Sequence, residues 1–162
     1  MAAVVTDQGR ITTRAVVVAA GYRSRALLAP LGLVLPLTPV RHAISVVRRT
    51  PAFGPRHPVV SDRVQGSYYR PEGAELTLIG TTAAAEGHVD EEVERASAPA
   101  LDEELALTTR FAARFIGQEA ATLQRGFTGV YDCTPDLQPI LGPAPGVEGL
   151  HLAAGFSGHG FK

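Results

Sequence analysis

The residues best suited to chemistry stand together at the end of the sequence, as Gly155-Phe156-Ser157-Gly158-His159-Gly160-Phe161-Lys162. Glycines among small polar residues let a backbone approach a flat or charged ligand closely, and the peptide N–H groups of such a turn can hold negative charge. Three chemistries compete. Gly155-Phe156-Ser157 begins like a nucleophile elbow, which exposes a serine hydroxyl, but that motif needs a glycine where His159 stands and triad partners later in the chain. Glycines at 155, 158 and 160 reproduce neither a P-loop nor the dinucleotide fingerprint, which argues against a phosphate site. The third reading is a strand-to-helix turn lying against a cofactor ring. Beside these stands the plain reading, a tight turn and nothing more. A helix begun at this turn has no body in the sequence, so the chain reads as part of a larger protein.

The rest of the composition narrows the partners. The chain has 162 residues, 45% of them hydrophobic, enough for a real core. Its formal charge of −1 gives no field suited to nucleic acid or an anionic membrane, and no stretch reaches membrane-spanning length. Arg48-Arg49 reads as a solvated strand end. Cys133 is the single cysteine, so no internal disulfide forms, and it has no metal-ligand spacing with His42, His57, His88, His151 or His159. With no signal-like N-terminus, a reducing cytoplasm is the expected compartment.

The elements that must position the glycine turn follow from pattern. Ala3 to Thr6 and Arg10 to Thr13 flank Asp7-Gln8-Gly9 as a hairpin, and Ala15 to Ala20, β-branched and closed by Gly21, predicts a fully buried strand. Ser24 is the expected N-cap of a short helix stopped by Gly32. Residues 34–47, interrupted by Pro36 and Pro39, then alternate from His42 to Val47 as an extended crossing into a second sheet. Val59 to Ser61, Gly66 to Arg70 and Glu75 to Gly80 predict further strands in antiparallel pairs, with Pro71-Glu72-Gly73 as a turn. Helices are expected over 90–98 and 102–116. The apolar stripe of the second runs through Leu101, Leu105, Thr108, Ala112 and Phe115, with Gly117 as its stop. Residues 122–131 are extended, Thr134-Pro135-Asp136 turns, and Gly149 to Ala154 is a last strand feeding the glycine cluster.

Taken in order, Val16-Val17-Val18-Ala19-Ala20-Gly21, Tyr68-Tyr69-Arg70-Pro71-Glu72-Gly73 leading to Leu78-Ile79-Gly80, Gly129-Val130-Tyr131-Asp132 with Thr134-Pro135-Asp136, Pro139-Ile140-Leu141-Gly142 and the terminal Gly155 to Lys162 carry a resemblance. The chain resembles the D-amino-acid oxidase superfamily of FAD-dependent oxidoreductases, and most closely its sarcosine oxidase, sarcosine dehydrogenase and dimethylglycine dehydrogenase branch. The resemblance implies an α/β (α+β) chain belonging to a two-domain flavoprotein fold. Residues 1–35 and 130–162 would form part of an FAD-binding domain, and 36–129 a substrate domain with a mixed, largely antiparallel sheet. The family's strand, Gly-x-Gly-x-x-Gly turn and helix for the FAD pyrophosphate have no counterpart here, and the expectation is a C-terminal fragment that is inactive alone.

The same resemblance implies site roles. Ala20, Gly21, Gly155, Phe156, Ser157, Gly158, His159 and Gly160 would line FAD, with the backbone N–H groups of Gly158 to Gly160 near the flavin pyrimidine ring. Lys162 would contact the carboxylate of an N-methyl amino acid. A cysteine tethers flavin in monomeric sarcosine oxidases at the position of Gly129, so FAD is expected to be noncovalent here, and the lysine that promotes oxygen reduction falls near Leu78. Tyr69 and Arg70 could face a substrate cavity, although packing with a solvated tip is the commoner role of such a pair. His42 follows Pro39-Val40-Arg41 in a segment like the family's domain junction, where a structural histidine is expected. The implied partners are a small amine or amino-acid substrate and a missing N-terminal half or partner chain. A noncatalytic interaction module derived from this fold is the reading from another class.

Overall fold

The computed structural model describes residues 2–54, 56–82 and 98–160. Two compact units emerge, one made of Met1–Pro39 with Tyr131–Lys162 and the other of Val40–Val130. The helix expected over 90–98 lies mostly outside the described residues.

In the first unit, β1 (Ala2–Thr6) and β2 (Gly9–Thr13) pair as the expected antiparallel hairpin, with Thr6 opposite Gly9 at the turn. The strand that follows, β3 (Val16–Val18), is shorter than expected and buried on one face only, since Val18 is in the core while Val17 is 63% exposed. A β-branched run is buried on both faces only when both are covered, and here one layer meets it. That layer contains α1 (Ser24–Leu28), flanked by 3₁₀ turns and stopped by Gly32 in the left-handed region at φ 72°. Ser24 is not the N-cap. It lies inside the helix, and its hydroxyl reaches back to accept the N–H of Ala20 at 3.2 Å. Val18, Leu28, Leu35, Leu37, Leu150, Leu152 and Ala154 make this unit's core.

The unit is closed by β9 (Ile140–Pro143) and β10 (Leu150–Ala154), giving a sheet of order β3-β10-β9. The β3–β10 pair is parallel, with Val16, Val17 and Val18 opposite Leu150, His151 and Leu152, whereas β9 runs antiparallel to β10.

The second unit is built on β4 (Thr38–Arg48), β5 (Val60–Asp62), β6 (Ser67–Glu72), β7 (Leu76–Thr81) and β8 (Thr122–Cys133), in sheet order β5-β6-β7-β4-β8. The expected alternation of β4 does not become alternating burial, because His42 to Val47 are buried throughout. Odd-numbered Ala43 and Val47 join Tyr69, Ile79, Leu107 and Phe111, while even-numbered Ile44 and Val46 join Leu78 on the other face. Pro71 does not turn. It sits in β6 opposite Thr77, and the turn comes at 73–75. The proline is tolerated because β5 pairs only with Ser67 to Tyr69, leaving no ladder acceptor on that side of Pro71.

The helix α2 (Leu101–Arg114) begins where the Glu103 carboxylate accepts the N–H of Ala100 at 2.8 Å and forms a bidentate pair with Arg41 at 2.7 and 3.0 Å. Its buried residues are Leu107 and Phe111, not the stripe expected from the sequence. Leu101 and Leu105 are 79% and 63% exposed. The phase is set by the aromatic cluster beneath the helix, where Tyr69 and Phe111 pack with Phe115 at ring separations of 4.9 to 5.9 Å. The helix ends at Arg114, earlier than the expected stop, because Phe115 turns extended at its C-cap; Gly117 lies beyond it in the turn that follows, at φ 78°, and fully buried Gln118 clasps Thr50 through its Oε1 and Nε2.

Arg48 and Arg49 part company. Arg48 is exposed and pairs with Glu75, but Arg49 is only 6% exposed, donating to the carbonyls of Ala74 and Leu76 and, at 3.1 Å, to Thr77 Oγ1. Thr77 Oγ1 in turn meets His57 Nε2 at 2.8 Å, while His57 Nδ1 donates to the Pro58 carbonyl at 2.7 Å. Burial, reinforced by the Arg49 charge, holds the His57 imidazole below its ordinary value and therefore neutral. The unfolded chain takes up this proton near pH 6.5 and the folded chain only at lower pH, so stability is full above that value and falls on acidification through the window between the two. The slope contributed is at most about 1.4 kcal/mol per pH unit. Thermal unfolding between pH 7.5 and 5 should show this loss, and His57→Gln should flatten it.

Candidate functional site

The parallel register decides which loops meet. Because β3 and β10 run in the same direction, both predicted cofactor segments, Ala20-Gly21 and Gly155 to Gly160, leave the sheet at its carboxyl end. In open α/β sheets this is the end at which ligands bind. Gly21 takes φ 55°, and a Cβ built there meets nothing within 4 Å, so the backbone faces open space.

The glycine segment is folded down by hydrogen bonds onto the end of β8 and the turn that follows. Asp132 Oδ2 accepts the N–H of Gly155 at 2.6 Å, and the Asp132 carbonyl accepts the N–H of Ser157 at 3.2 Å. Ser157 Oγ accepts the N–H of Thr134 at 3.2 Å and lies 3.2 Å from the Gly155 carbonyl, to which it donates. Ser157 is 4% exposed and sits in the left-handed region at φ 50°. Its hydroxyl is thus a buried pin, and His159 Nδ1 lies near the Ser157 carbonyl rather than near Oγ. This geometry removes the acyl-transfer reading.

Two glycines in the segment have no room for a side chain. A Cβ at Gly155 would stand 2.5 Å from Thr134 Cγ2, and one at Gly158 would stand 2.7 Å from the Tyr131 ring, with φ 74° and 84° at the two positions. The N–H of His159 closes a turn onto the Phe156 carbonyl at 2.8 Å. Among the described residues the N–H groups of Gly158 and Gly160 receive no acceptor, and they fit an electron-rich ring edge. The segment is a turn as far as Gly160; Phe161 and Lys162 lie outside the described residues.

Other sequence candidates go elsewhere. Tyr69 is fully buried in the core with its hydroxyl on Ser67 and the Arg110 carbonyl, whereas Arg70 is exposed and pairs with Glu72. Neighbours on a strand face opposite ways, so the two cannot line one cavity. Tyr68, on the face opposite α2, seats its ring over Gly80, where a Cβ would come within 2.5 Å. His42 is buried with Nδ1 at 3.0 Å from Thr81 Oγ1, as a structural histidine. Leu78 is buried in an apolar cluster, and burial pushes the Cys133 thiol up, away from the reactive thiolate. A shallow cleft of ≈ 360 Å³ lined by Pro36, Thr134, Asp136, Gln138 and Ile140 among others contains none of the predicted cofactor residues. Sequence reasoning gave Asp132 and Tyr131 no role. Their signal was weak, two residues at the end of a strand that touch the glycine turn only in space.

A family model described as FAD dependent oxidoreductase matches residues 1–162, the whole chain. The chain belongs to this family. Glycine oxidase of Pseudomonas aeruginosa is 34% identical over 158 residues, which cover 94% of this chain and 39% of that protein. Monomeric sarcosine oxidase of Bacillus sp. is 28% identical over 97% of this chain and 42% of its own length. Among solved structures, L-proline dehydrogenase from P. horikoshii superposes with a TM-score of 0.83 at 23% identity, over 98% of this chain and 41% of the other, and so shares the fold. Glycine oxidase from Geobacillus kaustophilus does so at 0.75 and 26%, over 95% and 39%. The chain therefore spans about two fifths of the length of these relatives. Among the described residues no cluster of His, Cys, Asp or Glu could hold a metal, and no helix is long and apolar enough to cross a membrane.

Two substitutions test the site's architecture. Gly155→Ala forces a Cβ against Thr134 in a left-handed conformation and should cost about 2–4 kcal/mol, measured by chemical denaturation. A serine-directed fluorophosphonate should leave Ser157 unlabelled in the folded chain, a result that mass spectrometry of the tryptic peptide would check.

Proposed function

We propose that this chain is the flavin-ring and substrate portion of an FAD-dependent oxidoreductase acting on the C–N bond of an amine or N-methyl amino acid of the sarcosine type. FAD is held noncovalently, and the chain is inactive by itself. The observation that carries the reading is the parallel β3–β10 pair, which delivers Ala20-Gly21 and Gly155 to Gly160 to one end of one sheet. The names of the relatives, glycine oxidase, monomeric sarcosine oxidase and D-amino acid dehydrogenase, support a small amino acid or amine as substrate.

FAD held by Ala20, Gly21 and the Gly155 to Gly160 turn would supply an acceptor for the hydride equivalents that leave the carbon beside the substrate nitrogen, the imine so formed being hydrolysed by water. The chain's own residues hold and orient. Gly21 leaves its backbone face open to a planar group, and the N–H groups of Gly158 and Gly160 would stabilise negative charge developing on a bound flavin ring. Residues 1–35 and 130–162 serve the FAD-binding domain and 36–129 the substrate domain. Lys162 pairs with the substrate carboxylate.

Since these contacts address the ring rather than the pyrophosphate, the purified chain should take up riboflavin and FAD alike, with a saturable change in the flavin absorption bands. An unperturbed spectrum for both would sink this reading and leave a noncatalytic module derived from the fold. In an intact enzyme carrying this segment, Lys162→Ala should raise KM for a carboxylate substrate about tenfold or more, the loss of one charge-assisted contact, and leave an amine without a carboxylate unaffected. Unchanged kinetics toward both would remove Lys162 from the site.

A further inference from the structure

The glycine turn has few internal bonds of its own, and what fixes it is Asp132. Its two contributions differ in kind. The carbonyl acceptor for Ser157 N–H exists whatever residue stands there, but the 2.6 Å bond from Gly155 N–H to Oδ2 needs this side chain. Gly155 is the first residue after β10, so its N–H sets the direction in which the backbone leaves the sheet. Gly155 is buried against Thr134 and Leu37, and the next anchor, Ser157 Oγ, binds Thr134 N–H on the same turn. With the entry to the turn held at Gly155 and its middle at Ser157, Gly158 is seated against the Tyr131 ring, and the Gly158 and Gly160 N–H groups follow on the same turn without an acceptor among the described residues. A charged acceptor at 2.6 Å gives the short, strong bond that such a fixed point requires.

We infer that Asp132 is the positioning residue of the flavin site: its carboxylate fixes Gly155, and through Gly155 the backbone donors that meet the flavin ring. It acts through the turn, to which both of its hydrogen bonds run. Asparagine keeps an acceptor oxygen at the same place, alanine keeps none, and both leave the Asp132 carbonyl and Ser157 bonds in reach. The inference rests on the proposed flavin reading.

The test measures amide exchange by NMR and flavin binding by absorption in the purified 162-residue chain, as Asp132→Ala, Asp132→Asn and the unmodified protein. Alanine should speed exchange at Gly155 at least tenfold without changing it at Leu152, and weaken riboflavin and FAD binding about tenfold. Asparagine should restore both to within about threefold. Leu150→Ala, a core change at the opposite end of β10, separates general loosening from positioning and should lower stability while leaving the flavin dissociation constant unchanged. If the unmodified chain binds no flavin, the functional reading falls and this inference with it. If it binds flavin and Asp132→Ala binds equally well, or Leu150→Ala weakens binding as much, the positioning role alone is overturned.

Discussion

Three residues of parallel pairing, Val16 to Val18 against Leu150 to Leu152, organise the first unit. Parallel strands cannot be joined by a tight turn, so a long excursion must separate them, and here that excursion contains the whole second unit. The pairing is short, and its strength comes from the side chains that flank it. Val18, Leu28, Leu150, Leu152 and Ala154 bury together, at roughly 1.5–3 kcal/mol for each large aliphatic residue removed from water. Given that register, the position of the glycine turn beside Gly21 follows without further assumption. An antiparallel arrangement of the same two strands would send the two loops to opposite ends of the sheet.

The second unit solves a different problem, a sheet with both faces covered and polar groups inside. Thr77 sits at its centre as the common partner of Arg49 and His57. Elsewhere in the sheet Ser45 is a fully buried hydroxyl without a hydrogen bond, and it stands opposite Ile79 in the β4–β7 ladder. Such a defect costs of order 1–3 kcal/mol and is tolerated because the surrounding aromatic cluster of Tyr69, Phe111 and Phe115 supplies much apolar burial.

The parts legible in the sequence are those governed by local rules. The Thr6/Gly9 hairpin, the Gly32 stop and the strand before the glycine cluster follow from residue type and spacing, and the order of motifs points to the family. The parts that were not legible depend on partners distant in the chain. The phase of α2 could not be read because Leu101, Leu105, Leu107 and Phe111 offer two overlapping apolar stripes. The choice is made by Tyr69 on β6. Arg49 looks like any strand-end cation until the carbonyls of Ala74 and Leu76 are brought beside it.

The site shows the same division more sharply. Glycine at 155 and 158 is written into the sequence by steric need, since each Cα is pressed against Thr134 or Tyr131 at a backbone conformation that side chains resist. Asp132 is different. Its motif points to the family but not to its role, because its partner Gly155 lies at the end of another strand, and an acidic residue at a strand terminus usually means solvent. The two kinds of residue nevertheless answer to one requirement. Glycine permits the turn but cannot hold it, since its backbone is the freest to move and loses the most entropy on being fixed. A turn that must present N–H groups in a constant direction therefore needs an acceptor from outside itself, and the aspartate, serine and threonine around Gly155 supply that constraint.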